Sequence, residues 1–231
     1  MNTLNNLFLI IHIVAGFTAL TVGVVPMLAK KGGRLHILTG LVFYYAMAVV
    51  CASAFWLVAF KGSALFLLFI AIFSFYSTFS GRREILRKRL KVPSERTDYV
   101  AAALALAASV GMLGLGLYQV LKGTLSVPTV LYFVFGVFLF TQARYDWRRY
   151  LQPERSKYPV QSWFYHHITR MGGAYIAAFT AFVVVNARFG ASPYAFWLSL
   201  AAWIGPGVVG GMVIGRTVRH YLLKMKVAKQ S

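Results

Sequence analysis

Acidic residues and cysteine are scarce in this 231-residue chain, which carries five Asp and Glu in total and a single Cys. The lone thiol, Cys51, sits within an apolar run, which excludes a disulfide framework and a thiolate zinc cluster. Charged residues of both signs amount to 13%, about half of the roughly 25% with which a soluble domain covers its surface. No apolar segment carries a His-x-x-x-His pair or a Glu beside one. Metal-dependent hydrolysis, which needs three converging ligands and a base, is therefore disfavoured. No lysine lies deep in a late apolar segment, so a retinal Schiff base is excluded. Met1–Asn6 has no positive charge and the apolar stretch after it exceeds a signal core, so the first segment reads as a span and not as a secretory signal.

What is abundant is apolar sequence, 59% of the chain, in runs of about 16–25 residues, long enough to cross a hydrocarbon core as helices. The pattern predicts an all-α, seven-span polytopic bundle forming one transmembrane domain. The spans are expected near 5–28, 36–59, 64–80, 98–121, 127–143, 164–187 and 194–215, the third and fifth being short. All but three of the 24 Lys and Arg fall at one end of these spans, the exceptions being Lys61, Lys122 and Arg188. The positive-inside rule then puts the N-terminus outside and the C-terminus in the cytoplasm. The formal charge of +19 is accounted for by topology, so nucleic acid is not an expected partner. Membrane lipids are, with anionic headgroups drawn to the cytoplasmic side.

Small residues at four-residue spacing let helices approach. They occur at Ala15, Ala19 and Gly23; at Ala103, Ala107 and Gly111; at Gly173, Ala177 and Ala181; and at Gly207, Gly211 and Gly215. These stripes are the expected packing faces, and Pro206 is expected to kink the last span. Residues 16–20 and 178–182 resemble each other, but seven spans do not halve, which argues against an inverted-repeat transporter. Basic loops 81–97 and 144–163 are expected to continue the helices, with Tyr145, Trp147, Tyr150 and Trp163 at the interface. Thr97 and Asp98 read as the cap and acidic first turn of the fourth span. Asp146 reads as a surface partner of Arg149.

Polar side chains at membrane depth are the best pointers to function. His36 begins the second span; His166 and His167 begin the sixth, with Arg170 one turn further on. Together with Arg34 these residues can converge at one cytoplasmic depth. His12, about 24 Å of helix rise from the inner end of its span, cannot join them. Two readings stand side by side. In one, the histidines and Arg170 are interfacial anchors and His12 is an interhelical hydrogen bond. In the other, one b-type haem is held by His36 and by His167 or His166, with Arg170 pairing a propionate, giving an electron-transfer component and not a hydrolase. A competing function is a transporter or accessory subunit that binds a lipid, quinone or small metabolite at the same site.

The histidine segments read His12-Ile-Val-Ala-Gly16, then Lys31-Gly-Gly-Arg34-Leu-His36-Ile-Leu-Thr-Gly40, and His167-Ile-Thr-Arg170-Met-Gly-Gly-Ala-Tyr175 running on to Asn186. With Trp203-Ile-Gly-Pro206, they resemble the bacterial predicted membrane-protein family called domain of unknown function 2306. The resemblance covers nearly the whole chain and implies a multi-pass protein of the bacterial cytoplasmic (inner) membrane. It singles out His12, Lys31, Gly32, His36, Gly40, His167, Arg170, Tyr175 and Asn186. A basic residue commonly follows the second histidine of that pattern, where this chain has Ile37. His166 is an addition to the pattern, so the resemblance favours His167 as the ligand.

Overall fold

The computed structural model describes residues 2–62, 65–90, 93–151, 162–187 and 194–227, the side chains of 2 and 225–227 excepted. Among these residues every regular element is helical: α1 (Asn2–Gly23), α2 (Val25–Leu28), α3 (Arg34–Lys61), α4 (Leu65–Leu90), α5 (Arg96–Leu121), α6 (Val127–Leu151), α7 (Ser162–Asn186) and α8 (Ala195–Val227). The α1–α2 pair forms a single span, interrupted at Val24 just before Pro26, which lacks the N–H an unbroken helix would use. Seven helical segments are thus long and apolar enough to cross a membrane, the architecture of a multi-pass membrane protein.

The helices outrun the apolar segments. The third span, expected to end near 80, continues to Leu90, the fifth to Leu151 and the last to Val227. Arg, Lys and Glu are good helix formers, so charge ends the apolar run without ending the helix. Of the basic residues read above, Lys91, Arg155, Lys157, Arg188 and Lys229 lie outside the described residues, as does the side chain of Lys226.

The helix α4 is the hub, packing against α3, α5, α6 and α7; α1 pairs with α3, and α5 with α6. One core joins α4, α5, α6, α7 and α8, where the Phe66 ring lies 5.1 Å from Trp203 and 5.3 Å from Tyr132. A second joins α1, α3 and α7 through Ala19, Phe43, Met47 and Ala174. The large apolar side chains left outside, such as Phe17, Leu104 and Val209, are a cost in water and none in hydrocarbon.

Two of the expected packing stripes are displaced. Ala15, Ala19 and Gly23 do face neighbours, but α5 buries Ala102, Ala105, Ser109, Met112 and Gly116, leaving Ala103 and Ala107 exposed. On α8 the close approach is made by Gly210: a Cβ there would lie 2.3 Å from Cδ1 and 2.6 Å from Cγ1 of Ile176. Gly207, Gly211 and Gly215 face open space. Four-residue spacing recurs on several faces of a glycine-rich helix, and only the neighbour decides which face is used. Gly210→Ala is therefore expected to destabilise the protein by about 1–3 kcal/mol through overpacking. Gly211→Ala should stabilise it by about 0.5–1 kcal/mol through helix propensity. Unfolding midpoints of the two variants in detergent should move in opposite directions.

Candidate functional site

The end of the bundle where α3, α5 and α7 begin holds two polar assemblies. The smaller one starts from the turn after α2. Gly33 donates its N–H to the Lys30 carbonyl at 3.0 Å, and Gly32 takes φ 76°, a value that favours glycine. This turn folds α3 back beneath α2, whose last carbonyls have no helical partners of their own. Lys31 Nζ donates to the carbonyls of Pro26 at 2.9 Å and Met27 at 2.6 Å. His36 Nδ1 donates to the Pro26 carbonyl at 2.9 Å. Burial holds the Lys31 ammonium below its usual pKa.

His167 reaches the same place from α7. Gly81 of α4 lets α7 come close, since a Cβ there would lie 2.9 Å from Arg170 Cβ. The His167 Nδ1 donates to the Gly81 carbonyl at 3.0 Å. The His36 and His167 rings lie 6.1 Å apart between centroids, inclined at 65°. Because each Nδ1 meets a carbonyl, it must carry the proton, and in the neutral ring each Nε2 is left with a lone pair. A backbone carbonyl on one ring nitrogen and a free lone pair on the other is the arrangement of a histidine set to ligate.

The remaining residues singled out from the sequence lie elsewhere. His166, about 100° further round α7, is buried against Tyr145, the rings 5.2 Å apart. Arg34 is exposed at the start of α3. His12 Nδ1 lies 2.9 Å from Ser53 Oγ, whose own proton goes to the Val49 carbonyl at 2.7 Å, so His12 is the donor in a bond between α1 and α3. Tyr175 donates to the Leu20 carbonyl at 3.2 Å and fills the space that Gly23 leaves. Asn186 donates to Phe182 at the opposite end of α7, exposed.

The larger assembly is one that sequence reasoning missed. Asp146 is buried and not a surface partner of Arg149: Arg170 Nη2 donates to its Oδ1 at 2.7 Å, and Tyr76 Oη to its Oδ2 at 2.7 Å. Arg170 also donates to the Gln142 carbonyl at 3.2 Å. The cap of α5 is Glu95 and not Thr97, in a reciprocal capping box with Asp98. Asp98 is fully buried and accepts from Arg83 Nε at 2.8 Å and Nη2 at 3.0 Å, and Arg87 Nη1 lies 3.1 Å away as an ion-pair contact without a hydrogen bond. Glu84 pairs with Arg87 and Arg149, Glu95 with Arg83 at 2.9 Å. Tyr150, expected at the interface, is buried under the Arg87 guanidinium, 4.8 Å from its ring centre.

Four carboxylates thus meet four arginines across α4, α5, α6 and α7, and the ensemble is neutral. Every acidic residue of the chain except Glu154, which lies outside the described residues, belongs to it. It is a charge-balanced clamp between helices, in which Arg87 Nη1 is a buried donor without a hydrogen-bond partner. Its one sequence signal is that a chain so poor in acids places them at helix ends beside arginines. Arg170 is held in this clamp through Nη2, which donates to Asp146 and to the Gln142 carbonyl.

Among the described residues no group of three or more His, Cys, Asp or Glu converges on a metal position. Two imidazoles without a third protein donor suit a metal whose other ligands arrive with the cofactor. The donor set fits a bis-histidine haem. No family model matches this chain, and neither a curated protein nor a solved structure is significantly similar to it.

Proposed function

We propose that this multi-pass membrane protein binds one b-type haem between His36 and His167 and acts as an electron-transfer component of a bacterial cytoplasmic membrane. The basic end of the bundle is then its cytoplasmic side, by the positive-inside rule. The observation that carries the reading is the pairing of the two rings, each anchored at Nδ1 to a main-chain carbonyl. Bound haem would supply one-electron chemistry. This chain's residues hold and tune it. The Pro26 and Gly81 carbonyls fix the ring tautomers and raise the basicity of each Nε2. Lys31 is the cation beside His36, sharing the Pro26 carbonyl with it, whereas Arg34 is exposed at the start of α3, Arg170 stays in the clamp and His166 outside the site. The family resemblance carried by the histidine segments belongs to the same proposal.

The test is haem content per chain in protein produced with ample haem. His36→Ala and His167→Ala should each lose the haem, while His166→Ala and Arg170→Lys retain it wherever the protein folds. Equal haem content in His36→Ala and the parent would end the proposal.

A further inference from the structure

On the face of the bundle away from the histidine pair, α3 and α5 do not touch, and α4 forms the floor between them. The gap is a groove of about 610 Å³, within the size range of small-ligand sites. Cys51 and Phe55 line it from α3, Phe75 and Phe79 from α4, and Leu104 from α5. Its deep part is wholly apolar. At the basic end it finishes on Thr97 and Arg96, which also line it.

Arg96 is unlike its neighbours. Arg83 and Arg87 are tied to carboxylates, and the clamp uses every acidic side chain among the described residues. Arg96 is exposed and makes no ion pair there. Arg82 follows Phe75 and Phe79 along the same face of α4. Among the described residues it also has no carboxylate, its guanidinium lying over Tyr44 at 4.3 Å and Tyr45 at 5.3 Å. The mouth of an apolar groove therefore presents a cation for which no acidic side chain remains among the described residues. From Arg96 to Leu104 the groove runs about 12 Å along α5, with cationic and apolar ends arranged as in an amphiphile.

We propose that this groove holds one acyl chain of an anionic phospholipid, with the phosphate at Arg96. Length, apolar lining and charge are complementary together: a neutral lipid satisfies the lining and leaves Arg96 unpaired, and a small soluble anion satisfies Arg96 and leaves the lining uncovered. The site is separate from the histidine pair and does not rest on haem binding.

The test uses the full chain reconstituted in vesicles of equal parts phosphatidylglycerol and phosphatidylcholine and read by native mass spectrometry. The retained adduct should favour phosphatidylglycerol by about fivefold, the effect of one basic residue at the surface. Arg96→Gln should bring the ratio close to one and Arg96→Lys should keep most of the preference. Arg148→Gln, an exposed change on α6, should leave the ratio unaltered, as should His36→Ala. Leu104→Trp, which fills the groove from an exposed position, should lower retention of both lipids. Far-UV circular dichroism establishes that each variant is folded. An undiminished preference in Arg96→Gln, or undiminished retention in Leu104→Trp, would overturn the proposal, as would an adduct identified as a neutral isoprenoid.

Discussion

Asp146→Ala is expected to cost about 3–5 kcal/mol of stability, because it leaves the Arg170 guanidinium buried without its counter-charge. Arg170 Nη2 keeps the Gln142 carbonyl at 3.2 Å, and Tyr76 loses its acceptor. The penalty is that of an uncompensated charge and not the net worth of the pair. The double replacement Asp146→Leu with Arg170→Met should therefore recover most of the loss, as exchange of a buried ion pair for apolar groups often does. Denaturant titration of the protein in micelles, followed by far-UV circular dichroism, separates the cases. A loss below about 1 kcal/mol in Asp146→Ala would mean that the pair is hydrated and behaves as a surface ion pair.

Asp98→Ala should be comparably damaging for two separable reasons. It takes one of two carboxylate partners from Arg83 and from Arg87, both largely buried, which keep Glu95 and Glu84, and it removes the acceptor for the Glu95 N–H at 2.9 Å that starts α5. The first loss is of the order of 1.5–3 kcal/mol, that of hydrogen bonds to a charged group, and the second about 1 kcal/mol. Asp98→Asn keeps an oxygen for the Glu95 N–H and gives up only the charge. It should thus lie about 1 kcal/mol above Asp98→Ala in the same titration. Equal stability of the two variants would show that the capping box contributes nothing.

The two substitutions bear on what the sequence makes legible. Seven spans follow from run length alone, because a bilayer imposes one length on every helix that crosses it. Helix ends do not follow, since Arg83, Glu84 and Arg87 end the hydropathy of α4 while favouring its helix. The pairing of His36 with His167 is foreseeable as a coincidence of depth. That His166 turns away toward Tyr145 depends on which face of α7 meets α4, and Gly81 decides this by letting the helices approach. The clamp was hidden because its members are far apart in sequence. Asp146 has Arg149 at local helical spacing, and that nearer partner suggested a surface pair. The Arg that holds Asp146 comes from another helix. Arg170 looked like a ligand-binding cation for the same reason: its counter-charge can be found only once α6 and α7 are packed together.

The measurement that tests the account most directly is the dithionite-reduced minus oxidised absorption spectrum of the detergent-purified protein. A Soret band with sharp α and β bands at one haem per chain is expected, absent from His36→Ala and His167→Ala and present in His166→Ala. A featureless spectrum from protein made with ample haem would contradict the account and leave the two imidazoles as caps on the carbonyls of Pro26 and Gly81.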